Sequence, residues 1–250
     1  MSKDFLNIAG KVAIVTGGAS GIGKGVSEEL AEFGVKVAVC DLQDHAGEET
    51  VEKIISNGGI AKYYRCNVAN SDEVEATVKK IADDFGSIDI LFNNAGIGDK
   101  NTNVEDMTDE QWDRMMSVDL NGVFYFSRAV IPYMKKNQWG KIINNSSGSG
   151  LIGVEYISHY GAAKAGIIGF TQSIAKEVAK DHINVNVIAT PTTVTPQFIE
   201  DDYAELPFIP MGRFAYPKDI ADLVLFLASD RASYITGQLI APNGGRRTPI

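Results

Sequence analysis

Tyr160 and Lys164 stand four residues apart in the run His159-Tyr160-Gly161-Ala162-Ala163-Lys164. On a helix that spacing stacks a phenol and an ammonium one turn apart on one face. Ser147 lies upstream, at the end of a strand-like apolar run. A phenol, a cation and a hydroxyl are the groups that let a carbonyl gain a proton or an alcohol lose one. A free tyrosine titrates near 10, too high for a base at neutral pH. A cation about 4 Å away, at an effective dielectric near 20, favours a phenolate by roughly 4 kcal/mol. The other reading is an ordinary pair on a helix surface, the commoner state of such pairs. What separates the two is whether the rest of the chain brings a hydride carrier to the same place.

The elements that would position these residues are legible as short apolar runs alternating with longer amphipathic segments. Residues 12–15, 35–40, 61–66, 88–92, 141–145 and 183–188 read as strands, with 238–241 a last short one. Helices are expected over 22–33, 44–56, 71–85, 157–180 and 219–228, and over 109–136 with a bend near Asn121-Gly122. The strands are β-branched and almost continuously apolar, which suits a parallel sheet buried on both faces. The expected fold class is α/β: one doubly wound Rossmann-type domain over residues 1–250, with about seven parallel strands and helices on both faces. Residues 191–210 form the one long stretch without periodicity, and such loops are usually functional or mobile. Residues 191–215 are read as a substrate loop or lid. Phe198, Tyr203, Leu206, Phe208 and Ile209 make it apolar, suited to a ring or a hydrophobic secondary alcohol. Equally, these side chains could pack on their own loop or on a neighbouring subunit.

A chain of 250 residues is long enough for one large α/β domain or two small ones. A formal net charge of -9 argues against nucleic acid or an anionic membrane as a partner. Two cysteines, Cys40 and Cys66, do not make a disulfide framework; both sit in apolar runs, as buried thiols of a reducing compartment do. The N-terminal residues do not form a secretory signal, and no apolar run approaches the ~18 residues of a membrane span. Together these point to the cytoplasm. His45 and His182 lack metal-ligand spacing, so no catalytic metal is expected. His159 is read as a packing or surface residue rather than a second base.

The hydride carrier has a place to bind. The first strand runs straight into Thr16-Gly17-Gly18-Ala19-Ser20-Gly21-Ile22-Gly23. Glycines at 17, 21 and 23 allow a sharp turn, close approach to a phosphate and tight packing of the next helix, whose N-terminus offers free N–H groups and a positive dipole end. Such a turn alone is weak; a strand before it and a helix after it strengthen it. Asp41 ends the second strand, where a carboxylate can accept hydrogen bonds from adenosine ribose hydroxyls and repel a 2′-phosphate. No Arg or Lys follows at Leu42 or Gln43. Lys24 reads better as an exposed residue of the first helix than as a phosphate ligand. NAD is the expected cofactor. The fourth strand leads into Asn93-Asn94-Ala95-Gly96, small and amide residues that suit close approach of a ligand, or simply a turn.

Taken together the chain resembles the short-chain dehydrogenase/reductase family. The matching pieces are the TGxxxGxG turn, the NNAG run, the Ser147 position and the YxxxK pair of Tyr160 and Lys164, in the same order and at matching intervals over residues 11–245. The resemblance implies that Tyr160 is the general acid/base, Lys164 its electrostatic helper and a nicotinamide-ribose ligand, and Ser147 the donor that orients the carbonyl. It implies a cofactor cleft lined by Gly17, Ser20, Gly21, Ile22, Gly23, Asp41, Leu42, Asn67, Val68, Asn94, Ala95, Gly96, Tyr160, Lys164, Pro191, Thr193 and Thr195. It also implies a homodimer or homotetramer, with the helix of Tyr160 in a subunit interface.

Asp119, the Thr190-Pro191 pair, Asn67 and Asn243 depart from the family pattern. Asp119 stands where Asn is usual; that Asn supports a helix bend, and its backbone carbonyl is linked through water to the lysine. Asp119 is therefore counted with the catalytic group, its backbone carbonyl still able to serve a relay. Thr190-Pro191 replaces the usual Pro-Gly, which should reshape the loop over the nicotinamide. Asn67 replaces an Asp at the adenine, and Asn243 an Asp of the C-terminal DGG motif. The leading expectation is an NAD(H)-dependent oxidoreductase interconverting a secondary alcohol and a ketone, its substrate apolar, cyclic or aryl. No Arg or Lys occurs in 97–98, 148–156 or 191–210, which disfavours small anionic substrates, although Arg213 is nearby. The alternatives are a 3-hydroxyacyl thioester or cyclic-alcohol dehydrogenase (equivalently a 3-oxoacyl reductase) and, from another class, an NAD-binding regulatory scaffold with little turnover or a Rossmann-type binding domain with another partner.

Overall fold

The computed structural model describes residues 3–196 and 209–246. Seven strands form one sheet: β1 Val12–Thr16, β2 Lys36–Asp41, β3 Ile60–Arg65, β4 Ile90–Asn93, β5 Gly140–Ser147, β6 Ile183–Thr190 and β7 Leu239–Ile240. Their order is β3-β2-β1-β4-β5-β6-β7, and every pairing is parallel. The chain runs outward from β1 to β3, then returns to lay β4 on the other side of β1. That reversal opens a crevice at the carboxyl ends of β1 and β4, where doubly wound folds bind ligands.

Helices cover both faces: α1 Gly21–Glu32, α2 Asp44–Ser56, α3 Ser71–Phe85, α4 Asp109–Met115, α5 Gly122–Asn137, α6 Ser149–Ile152, α7 Ser158–Val178 and α8 Pro217–Leu227. Side chains alternate along a strand. In β1, Ala13 and Val15 pack with Val26 and Leu30 of α1 and Ile220 and Val224 of α8. Val12 and Ile14 face the other way, toward Val74 and Val78 of α3, Phe126 and Val130 of α5 and Ile174 of α7. Burial on both faces is why β1 is apolar at four of its five positions and carries no polar stripe.

Several boundaries differ from the sequence reading. β3 begins and ends one residue earlier than expected, β7 keeps only two residues, and β5 and β6 extend to Ser147 and Thr190. α8 starts at Pro217, because proline suits the first helical position, where its missing N–H is not needed. The short α6 was not anticipated. The expected helix over 109–136 is α4, then a wide π-helical turn at Met116–Asn121, then α5. Thus the irregularity starts ahead of Asn121-Gly122. A π-turn inserts an extra residue into the helical register and re-aims side chains; the one it buries is Asp119. Of the apolar lid residues, Phe198, Tyr203, Leu206 and Phe208 lie outside the described residues. Among the described residues, no helix is long and apolar enough to cross a membrane.

Candidate active site and cofactor cleft

A cleft of about 750 Å³ opens at the carboxyl ends of the strands. On its β1 side lies the glycine turn. Gly17 has φ +63° and Gly21 φ +52°, the left-handed region open to glycine at little cost. A Cβ on Gly17 would sit 2.9 Å from the Ala95 Cα. Gly17, Ser20, Gly21 and Ile22 line the cleft, and Ser20 precedes α1 with no side-chain bond to its first N–H groups. Uncapped N–H groups at a helix start beside a cleft are where a phosphate is commonly held. Gly23 is not at the cleft wall. A Cβ there would be 2.0 Å from the Gly17 carbonyl oxygen, so its absence lets α1 pack onto the turn.

Asp41 closes the same turn from β2. Its Oδ2 accepts the Ala19 N–H at 3.0 Å, and its Oδ1 accepts those of Leu42 and Gln43 at 2.7 and 3.1 Å. In sequence, no Arg or Lys follows Asp41 at Leu42 or Gln43, and Lys24 reads as an exposed residue of the first helix. The sheet supplies a cation from farther along the chain: Arg65 pairs with Asp41 in register, and its Nη1 donates to the Leu42 carbonyl at 2.6 Å and to the Asp44 carboxylate at 3.1 Å. Leu42, Asn67 and Val68 line this end of the cleft. The Asn67 Oδ1 accepts the Ala69 N–H at 3.1 Å.

Thr16 ties β1 to the loop after β4. Its Oγ1 accepts the N–H groups of Asn94 and Ala95 at 2.9 and 3.0 Å, while the Asn94 Nδ2 donates to the carbonyls of Thr16 and Gly17 at 3.1 and 3.3 Å. Asn94, Ala95 and Gly96 line the cleft. Across it, after β6, Pro191, Thr193 and Thr195 also line it. The Thr193 Oγ1 donates to the Pro191 carbonyl at 2.9 Å, and the Val194 N–H donates to the Ala215 carbonyl at 2.8 Å, which fastens this loop to the segment ahead of α8. The Thr195 methyl stands 3.2 Å from where a Gly21 Cβ would be, so this loop meets the N-terminus of α1.

Ser147 ends β5 in register with Thr190. Its Oγ accepts the Ser149 N–H at 3.2 Å, which leaves the hydroxyl proton available to a ligand. Tyr160 and Lys164 lie on α7, with the Lys164 Nζ 5.4 Å from the centre of the Tyr160 ring. Lys164 is buried, and its Nζ donates to the Asn145 carbonyl at 3.3 Å and pairs with the Asp119 Oδ2 at 3.0 Å. The Asp119 Oδ1 accepts the Ile97 N–H at 2.9 Å. Burial alone would push the ammonium down. The Asp119 carboxylate and the nearby Tyr160 outweigh it and hold Lys164 above the ordinary lysine value. The expected link from residue 119 to the lysine ran through a backbone carbonyl; what the structure brings into contact is the carboxylate. Two charges removed from water together must pair. Gly96 makes room for them, since a Cβ there would be 2.8 Å from the Asp119 Oδ2.

His159 is fully buried, the packing alternative of the two expected, with its Nε2 3.7 Å from the Asp99 Oδ2. Asn145, absent from the sequence-based set, also lines the cleft. A nicotinamide dinucleotide fits this donor set: a turn whose missing Cβ atoms leave phosphate-sized room, a carboxylate at the ribose position, and acid/base groups at the far end.

A family model described as enoyl-(acyl carrier protein) reductase matches residues 17–247. The chain is 42% identical over 250 residues to a 3-oxoacyl-[acyl-carrier-protein] reductase of Vibrio cholerae, covering 96% of this chain and 98% of that protein. It is 38% identical over 245 residues to a cyclohexanol dehydrogenase of an Acinetobacter species, covering 98% and 96%. Among solved structures, a short-chain type dehydrogenase/reductase from Mycobacterium marinum superposes with a TM-score of 0.92 at 34% identity, covering 98% of this chain and 99% of that one. Levodione reductase superposes with a TM-score of 0.90 at 30% identity, covering 96% and 98%.

Proposed function

Because the chain belongs to the short-chain dehydrogenase/reductase family, we propose that it interconverts a secondary alcohol and a ketone with NAD(H), using Tyr160 as the general acid/base. The observation that carries this reading is that Ser147, Tyr160 and Lys164 line the same cleft as the glycine turn and Asp41. A bound nicotinamide supplies or accepts the hydride. Ser147 donates to the reacting oxygen and holds it toward the phenol. In oxidation Tyr160 takes the alcohol proton; in reduction it returns one to the forming alkoxide. Lys164, kept protonated beside Asp119, favours the phenolate and donates to the cofactor ribose. Asp119 acts through Lys164, and through Ile97 it fixes the loop after β4.

Asp41 supports NAD(H) over its 2′-phosphorylated form, since its carboxylate would oppose a second anion and accept from ribose hydroxyls. Arg65 does not reverse this, because Asp44 engages it. Asp41→Ala is expected to raise the Kd for NADH and lower that for NADPH, changing their ratio roughly 10- to 100-fold, the worth of a charge-assisted hydrogen bond. Fluorescence titration with both nucleotides measures the ratio; an unchanged ratio removes Asp41 as the selector.

For the substrate, the leading class remains an apolar cyclic or aryl secondary alcohol, in keeping with the cyclohexanol dehydrogenase relative. The more similar 3-oxoacyl reductase favours a second reading, a 3-oxoacyl or 3-hydroxyacyl thioester. A dimer or tetramer through α5 and α7 is supported by Phe124, which is exposed on α5 and meets Phe170 of α7 edge-on at 6.2 Å. The deciding experiment assays cyclic, aryl and aliphatic secondary alcohols, their ketones, and a 3-oxoacyl thioester with each nucleotide. Turnover confined to the thioester selects the second reading. Tight NADH binding with no turnover on any of them points instead to a regulatory scaffold.

A further inference from the structure

β5 carries two adjacent asparagines whose side chains leave opposite faces of the sheet. Asn144 has a partner at both polar atoms: its Oδ1 accepts from the Asn93 Nδ2 at 2.9 Å and its Nδ2 donates to the Thr171 Oγ1 at 2.8 Å. Asn145 does not. It is 8% exposed and lines the cleft, and its Nδ2 donates to the Asn94 Oδ1 at 3.0 Å, yet its own Oδ1 has no partner among the described residues. The neighbouring bonds fix which way this amide points. The Asn94 Nδ2 is spent on the carbonyls of Thr16 and Gly17, which only accept, so the Asn94 Oδ1 faces Asn145 and calls for a donor. Asn145 must therefore turn its Nδ2 toward Asn94 and leave its Oδ1 free. A buried acceptor left unpaired costs about 1–3 kcal/mol.

The free oxygen belongs to the residue whose backbone carbonyl accepts from the Lys164 Nζ. Both residues line the cleft, so a ligand placed between them would meet an acceptor that only accepts and an ammonium that only donates. A carbonyl or phosphate oxygen satisfies only the lysine, and an N–H only the asparagine. A hydroxyl satisfies both. Resting on the cofactor reading above, we propose that Asn145 is a further cofactor-positioning residue, its side-chain oxygen accepting a hydrogen bond from a hydroxyl of the nicotinamide ribose.

The test is a cycle of binding measurements on the full-length protein: wild type and Asn145→Leu, each titrated with NADH and with NADH analogues lacking the 2′- or the 3′-hydroxyl of the nicotinamide ribose. Wild type is expected to lose roughly tenfold in affinity for one analogue, and Asn145→Leu to lose less than about twofold for the same one. ADP, which lacks that ribose, should bind both proteins equally, so the Asn94 bond that the variant also breaks cancels. If thermal unfolding shows that Asn145→Leu does not fold, Asn145→Ala takes its place in the cycle. Equal penalties in wild type and variant for both analogues overturn the proposal. Weakening of ADP and NADH alike also overturns it, as a general distortion of the cleft. Failure of wild type to bind either NADH or NADPH overturns the cofactor reading instead.

Discussion

Tyr160→Phe lowers kcat by about 1,000-fold or more, while the Kd for NADH stays within roughly threefold of wild type. General acid/base groups contribute about 10²- to 10⁴-fold, and this phenol is the proton carrier of the proposed reaction. The substitution removes one oxygen and keeps the ring. Lys164 keeps its contacts with Asp119 and the Asn145 carbonyl, neither of which involves the phenol. The glycine turn, Asp41 and the loop after β6 are untouched, so cofactor binding persists. A loss of kcat with cofactor affinity preserved is the mark of an interaction made in the transition state. Steady-state rates with the best alcohol, beside NADH fluorescence titration, measure both. A variant that keeps more than a tenth of wild-type kcat excludes Tyr160 as the acid/base.

Much of the frame was legible because it rests on local rules. Continuous apolar runs such as Val12-Ala13-Ile14-Val15 announced strands buried on both faces, and the glycines at 17, 21 and 23 announced a strand-to-helix turn. The helical spacing of Tyr160 and Lys164 placed them on one face without knowledge of the rest. What escaped depends on contacts between distant segments. Arg65 reaches the Leu42 carbonyl only through the register of β2 and β3. Asn145 sits in a run that reads simply as strand, and its free oxygen follows from the hydrogen bonds of Asn94. His159 read as packing or surface, and only the fold decides between them, because α7 turns it inward toward Asp99. Asp119 was singled out by its departure from the family pattern. Its partner could not be read, because the π-turn that swings its carboxylate onto Lys164 has no signature in the residue types.

That carboxylate gives the second large effect. Asp119→Leu leaves the Lys164 ammonium buried without its partner, which costs about 3–5 kcal/mol. In a chain of this size that is a fall in Tm of roughly 6–20 °C. Asp119→Asn keeps the shape and an acceptor for the Ile97 N–H, so it is destabilised less and serves for the pH tests. Lys164 titrates above its unfolded value of about 10.4. The stability it draws from the pair is therefore fully present below about pH 10.4 and lost as pH rises through the higher folded value. The Tm gap between wild type and Asp119→Asn should stay constant from pH 7 to about 9.5 and narrow above about 10.4. Activity should shift as well. Without the carboxylate, burial pulls the Lys164 ammonium down, so activity that needs a charged Lys164 should fall off at lower pH in Asp119→Asn than in wild type, seen in the alkaline limb of kcat/KM for alcohol oxidation. Asp119→Leu, judged on kcat/KM at one pH, could not tell charge from damage; the shifted profile of the isosteric variant can. A profile that coincides with wild type, together with a Tm gap that does not change with pH, would mean that Asp119 does not set the charge at Lys164.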